Sequence, residues 1–206
     1  INIVFWIKYY KLSLKDATEY DDRVPVVNLS IGICYSYLGD YAKSEEYLRQ
    51  VVKDYSDPIV QNYLGYVLLQ QNKNIEEAFR LIASAYKKSP REGSFVDSLG
   101  WAFYKIGRYQ EAEKYLETAV DLSVSEAVIY DHLGDVYWQN GRHDEAIHQW
   151  NHALGMKDTS GELKRDVVLD KIKHGLPKPT VLPYDSEQIE SILQSIVPVA
   201  AAPAGK

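Results

Sequence analysis

Few side chains in this sequence are placed to do chemistry. His148 and His152 stand four apart, a spacing that sets two imidazoles on one helix face where they could share a metal ion. No third ligand lies close in sequence, and the pair falls on a helix side expected to meet solvent, so no metal site is expected. Cys34 is the only cysteine, which excludes an intramolecular disulfide framework and a multi-cysteine metal site. Between Ile33 and Tyr35 it reads as a packed thiol rather than a nucleophile. The sequence holds no GxGxxG, P-loop, GxSxG or HExxH motif. A non-catalytic protein without cofactor or metal is the expectation.

What remains is binding chemistry, carried by carboxylates interleaved with aromatic rings. Asp97, Trp101 and Tyr104 are followed 34 residues later by Asp131, Asp135 and Trp138, and preceded by Asn62 and Tyr66. Such a set suits a basic or aromatic-anchored segment of a partner, through charge steering and cation–π contact. The charge distribution points the same way. Residues 93–160 hold 11 acidic and five basic side chains, while the stretches on either side balance, so the whole net charge of −6 belongs to the middle. That acidity argues against nucleic acid as the partner. No apolar run approaches the roughly 18–20 residues that span a bilayer.

The elements that must position these residues are repeated. Leu29–Tyr41, Asn62–Asn74, Asp97–Tyr109 and Asp131–His143 align, with glycines at 32, 65, 100 and 134. Gly39, Asn72, Gly107 and Gly141 follow seven residues later, and Ser44, Ala78, Ala112 and Ala146 lie beyond them. Each unit reads as a helix A and a helix B joined by a tight turn whose Gly or Asn accepts the left-handed conformation. The first glycine lets the two helices approach, and Leu48, Ile82, Leu116 and Trp150 fill the gap. One hairpin cannot bury both faces, so the units must stack.

These residues resemble the tetratricopeptide repeat family. Leu99-Gly100-Trp101, Tyr104, Gly107, Tyr109, Ala112, Leu116 and Ala119 carry the likeness, and Leu133-Gly134, Tyr137, Gly141, Ala146, Trp150 and Ala153 repeat it. The second unit matches through Leu64-Gly65, Ala78, Ile82, Ala85 and Pro90, with one extra residue in its turn; the first departs most, at Ser44 and Val51. The wording of the last two units looks like alphaproteobacterial repeat proteins, some similar to envelope lipoprotein scaffolds. The resemblance implies an all-α, right-handed superhelical solenoid that binds other proteins, as scaffold or adaptor. From it the compartment leans to the periplasm or cell envelope, with the cytoplasm as alternative.

The expected organisation is a partial preceding repeat over 1–24, repeats at 25–57, 58–92, 93–126 and 127–160, a capping helix within 161–176, and a tail. In the first segment a helix over 6–20 is expected, packing through Tyr10, Leu14 and Ala17. In the cap, Leu163, Val167 and Ile172 are expected to face the last repeat, with Lys164, Arg165, Lys171 and Lys173 turned largely elsewhere. The tail, 177–206, reads as a proline-containing linker, a short amphipathic helix over 186–196 and a disordered end. That short helix docks on its own chain, waits for a partner, or is captured by a neighbouring copy.

In the resembling architecture the A helices line a concave groove, with positions 5, 9 and 12 of each unit facing inward. These are Leu29, Ile33 and Ser36; Asn62, Tyr66 and Leu69; Asp97, Trp101 and Tyr104; and Asp131, Asp135 and Trp138. The family's carboxylate-gripping mode needs Lys or Arg at positions 2, 5, 6 or 9, and none stands there. Tyr104 and Trp138 are expected to be exposed in the groove. Trp101 either joins them or wedges between units, while Asp97 and Asp131 either wait for ligand or bond within the seam. His132 reads as a hydrogen-bonded packing residue of that seam. Alternatives are a self-assembling structural module, joined through residues 1–7 or 186–196, or the interaction arm of a larger protein.

Overall fold

The computed structural model describes residues 2–18, 21–52, 57–157 and 161–196. Among these residues the secondary structure is entirely helical. The helices are α1 (Ile3–Ser13), α2 (Arg23–Tyr37), α3 (Tyr41–Val52), α4 (Pro58–Gln70), α5 (Ile75–Lys88), α6 (Gly93–Lys105), α7 (Tyr109–Leu122), α8 (Ala127–Gln139), α9 (His143–Gly155), α10 (Arg165–His174) and α11 (Ser186–Gln194). Helices α2/α3, α4/α5, α6/α7 and α8/α9 pair as four hairpins, and each B helix packs on the next A helix.

Local sequence explains the hairpins. Helix α4 starts where Pro58 supplies a first residue needing no partner and the Asp57 carboxylate accepts the Ile59 N–H at 2.7 Å. The four A helices end at residues with positive φ, Gly39 (74°), Asn72 (56°), Gly107 (78°) and Gly141 (80°). In the second unit the extra turn residue, Asn74, takes a second left-handed conformation. Among the four repeated glycines at 32, 65, 100 and 134, the approach is tightest at Gly134, where a Cβ would lie 2.5 Å from the Trp150 indole. Trp150 is fully buried, as are Phe79, Leu64, Ile82, Leu99 and Leu116 in the same continuous core.

Among the described residues, consecutive A helices approach one another more closely than consecutive B helices do. The solenoid therefore curves with α2, α4, α6 and α8 on its inner face. Side-chain bonds stitch the outer seam in a repeating way: Gln71 donates to Glu45 and to the Tyr41 carbonyl, and Asn140 donates to Glu113 and to the Tyr109 carbonyl.

Both ends depart from the expected bounds. Helix α1 starts at Ile3, capped by the Asn2 side chain, and stops at Ser13, whose hydroxyl turns back on the Tyr10 carbonyl. Leu14 and Ala17 thus lie beyond it, in tight turns, and the part of the expected helix at 19–20 lies outside the described residues. Helix α10 starts four residues later than expected, because Gly161 adopts a left-handed turn and Leu163 is buried before the helix begins. From Gly175 the chain turns back against the repeat order. The Leu182 N–H bonds the Lys105 carbonyl at 3.0 Å, the Asp185 N–H bonds Glu76 at 2.8 Å, and α11 seats Ile189, fully buried, against α5. The short helix is docked in cis. The expected disordered end, 197–206, lies outside the described residues.

Candidate functional site

The expected groove residues do converge on the inner face, but the chain itself covers much of them. At its C-terminal end Lys171 of α10 is buried between two carboxylates of α8, with Nζ 2.8 Å from Asp131 Oδ1 and 2.7 Å from Asp135 Oδ1. The same Asp135 oxygen accepts the Trp150 indole N–H at 3.0 Å. This corrects the expected register of the cap: Val168 and Lys171 face the repeats, while Val167 is exposed. Two carboxylates on α8 make that the favourable side for the lysine. Burial and the adjacent Asp131 lift the Asp135 carboxyl to about 6 against the pull of Lys171, and the two carboxylates overcome burial to raise the Lys171 ammonium.

Trp138 and Tyr104 are not exposed platforms. Trp138 is half-buried, its indole N–H donating to the Leu176 carbonyl at 3.0 Å where the chain leaves α10. Tyr104 is buried and stacks on Trp101 with ring centroids 4.5 Å apart, and Trp101 stacks on His132 at 4.1 Å. Trp101 is therefore core between units rather than groove surface. His132 bonds Asp97 through Nδ1, at 2.9 and 3.1 Å from its two oxygens. Burial alone would lower the imidazole, but the Asp97 charge beside it prevails and its pKa is raised. Asp97, read either as a waiting acceptor or as a seam bond, is a seam bond, whereas Asp131 is bonded by Lys171 of the cap.

The inner face opens where α4, α6 and α8 begin. A cavity of about 720 Å³ lies there, walled by Asn62, Tyr63 and Tyr66 of α4, by Asp97 of α6 and by His132 of α8. Glu92 and Glu126, the residues just before α6 and α8, stand at its rim, and Tyr37 and Glu162 close another side. Lys164 reaches from the loop before α10 to the Tyr37 carbonyl at 3.4 Å, so that loop crosses toward the first repeat. Burial pushes the hydroxyls of Tyr63 and Tyr66 well above their usual value. Asn62 is 6 % exposed and its Oδ1 has no hydrogen-bond partner.

Of the residues read from the sequence, the cavity thus gathers Asn62, Tyr66 and Asp97. It leaves out Trp101, Tyr104, Asp131, Asp135 and Trp138. Sequence reasoning missed Tyr63, Glu92, Glu126 and Glu162, and missed Lys171 as the cation on α8. Glu92 and Glu126 carried a signal, since each directly precedes an A helix at the same phase of the repeat. His148 and His152 are exposed, and His152 packs on Tyr130 at 4.4 Å. Among the described residues no three His, Cys, Asp or Glu side chains gather to hold a metal. Cys34 is half-buried, and that burial pushes its thiol up.

Comparison with known proteins bears on the fold and the family. The protein TTC0263 of Thermus thermophilus, a thermophilic TPR protein, superposes with a TM-score of 0.61 at 21% identity, covering 79% of this chain and 88% of that one. MamA from Desulfovibrio magneticus RS-1 superposes with a TM-score of 0.53 at 17% identity, over 75% and 94% of the two chains. At these identities the likeness is one of fold. The TPR repeat-containing protein PA4667 of Pseudomonas aeruginosa is 36% identical over 78 residues, which is 37% of this chain. The chain spans 13% of the length of that relative. Residues 30–92 and 98–155 match the tetratricopeptide repeat. With more than half its length matched and four stacked hairpins built on the repeated glycines, the chain belongs to the tetratricopeptide repeat family.

Proposed function

We propose that this protein is a non-catalytic interaction scaffold that holds a segment of another protein against its inner face, at the cavity between α4, α6 and α8. The cavity carries the proposal: it is where the inner face combines depth, tyrosine rings and carboxylates without the chain's own cap filling it. An acidic, aromatic site of this kind favours a basic segment. The expected aromatic contacts move accordingly, from Trp101, Tyr104 and Trp138 to Tyr63, with Tyr66 retained. Charge reversal at Asp97 or Asp131 is not a clean probe, because both are partners of buried cationic or imidazole groups. The cleaner test places a photo-crosslinking amino acid at Tyr63 and, in a second protein, at the exposed Val167 of α10. Partner adducts are expected at position 63 and not at 167; equal yields at both would refute the groove.

Self-assembly is favoured by one observation, the exposed outer face of α1 formed by Val4, Phe5, Trp6, Tyr9 and Leu12. Changing Phe5 and Leu12 to Glu should then lower a concentration-dependent mass measured by light scattering. A mass that stays monomeric at all concentrations in the unaltered protein removes this role. Placement in the cell envelope rests on the subfamily resemblance, and fractionation of cells producing the full-length gene product tests it.

A further inference from the structure

The outer seams between hairpins are not alike. Gln71 donates to Glu45 where the first two hairpins meet, and Asn140 donates to Glu113 where the last two meet. In the middle seam the same two places of the repeat hold Ile106 and Phe79, both buried. A second difference follows. Arg142, just before α9, bonds Glu113 across its seam and Glu145 on its own helix, and lies over the Tyr137 ring at 4.0 Å. Arg108, 34 residues earlier, bonds Glu111 and lies over the Phe103 ring at 5.2 Å. The residue 34 before Glu113 is Phe79, so the middle seam has no carboxylate at that place. Arg108 takes its second carboxylate from Glu190 of α11 instead.

The middle seam thus differs from its neighbours in two ways that both suit a docked helix, an apolar surface and a guanidinium lacking its cross-seam partner. The helix matches in register. Ile189 is fully buried against α5, Ile192 and Leu193 are half-buried on the same side, and Glu190 turns to Arg108. At its start, the Asp185 N–H bonds Glu76 of α5 at 2.8 Å.

None of these contacts depends on which copy of the chain supplies α11. The tether leaves the fourth hairpin at Gly175, whose φ of 74° makes a left-handed turn. Pro177, Pro179 and Pro183 have no N–H to give and hold the tether extended. Among the described residues, the hydrogen bonds of 176–184 to the repeats are few. Trp138 and Gln139 donate to the Leu176 and Pro177 carbonyls, and the Leu182 N–H bonds the Lys105 carbonyl. A helix as short as α11 has little stability off its dock, so tether and helix leave or stay together. A second copy carries the same tether and the same helix. Exchange keeps every contact named here and costs the entropy of association, which concentration offsets.

We propose that the middle outer seam is a helix-acceptor site that a second copy of this chain fills by exchange of residues 176–196, independently of the inner-face cavity and of the α1 face. A Cβ at Gly107 would lie 3.7 Å from the Val181 Cβ, a separation that a disulfide spans. Gly107→Cys and Val181→Cys are made in separate full-length proteins, each with Cys34→Ser, then mixed, equilibrated under reducing conditions and oxidised. A 107–181 heterodimer, identified by mass spectrometry, should form beyond the yield of a collision control that pairs Val181→Cys with Val167→Cys. Its ratio to monomer should rise about tenfold for a tenfold rise in concentration while dimer is scarce. Adding Arg108→Glu to the first protein and Glu190→Arg to the second leaves each mismatched in cis and matched in trans, so the heterodimer should rise severalfold further. The double variant Gly107→Cys/Val181→Cys, oxidised when dilute, should close within one chain; failure to close would overturn the docked tether and the exchange with it. Heterodimer no more abundant than the collision control, or no gain from the charge-paired proteins, overturns the exchange. Dimers lacking the 107–181 link overturn it as well, while leaving self-assembly through α1 standing.

Discussion

Replacing Lys171 with Met should be among the most damaging single changes in the protein. The side chain is 9 % exposed, and its two carboxylate partners are 14 % and 8 % exposed. At an effective dielectric near 20, each contact of this length is worth about 6 kcal/mol of gross attraction. Desolvation of three ions and repulsion between Asp131 and Asp135 consume most of that, and removing one partner of a buried pair typically costs about 3–5 kcal/mol. Against a domain stability of about 5–15 kcal/mol, this is a large fraction. The triple variant K171M/D131N/D135N should recover at least half of the loss. Its amides need no cation, and an amide oxygen at position 135 can still accept the Trp150 N–H. Equilibrium urea unfolding followed by circular dichroism gives both numbers, and hydrogen exchange of α10 separates local undocking from global loss. A K171M cost below about 1 kcal/mol, or a triple variant no better than the single one, would refute the account of α10 as a charge-locked cap.

Three further outcomes are expected. Stability should fall as pH rises from about 5 to 7.5: Asp135, raised to about 6, and His132, also raised, bind protons more tightly folded than unfolded. The Asp135 contribution fades up to about 6, and the His132 contribution is whole below its unfolded pKa near 6.5 and fades as pH passes the raised folded value. Urea midpoints across this range check it, and His132→Asn should flatten the upper part; a midpoint that rises with pH contradicts the assignment. Gly134→Ala should cost about 1–3 kcal/mol by driving a methyl into the indole of Trp150, whereas Gly155→Ala, with nothing within 4 Å, should change thermal unfolding little. Ile189→Ala should release α11, seen as lost hydrogen-exchange protection over 186–194 with α4 and α6 unaffected; retained protection would mean that Ile189 does not anchor it.

The repeats were legible because their physics is local. A glycine that admits Trp150 or Leu116, and a left-handed turn seven residues later, recur with the period of the hairpin itself. What covers the inner face obeys no such period. Lys171 meets Asp131 from 40 residues away, and the segment leading into and through α11 meets Glu76 and Arg108 from farther still. The facing of Trp138 was therefore misread: position 12 points inward, but whether inward means solvent depends there on a segment outside the repeat, whereas Tyr104 is buried in part by its stacking on Trp101 of the same helix. Asp97 was placed on the right face with its alternatives open, because the sequence names its acceptor but not the imidazole that would claim it. The phase of α10 was missed for a smaller reason, a turn at Gly161 that shifts which residues face α8.

The backward run of residues 176–185 has a consequence for how such an array can change. A stack of hairpins that touch only their neighbours can gain or lose a unit without notice. Here about ten residues, spanning at most about 35 Å when extended, connect the fourth repeat to the second. An added hairpin between those anchors would stretch this connection, and a deleted one would slacken its hold of Ile189 on α5. The segment works as a ruler laid along the stack, and the spacing it measures fixes how many repeats lie between its anchors.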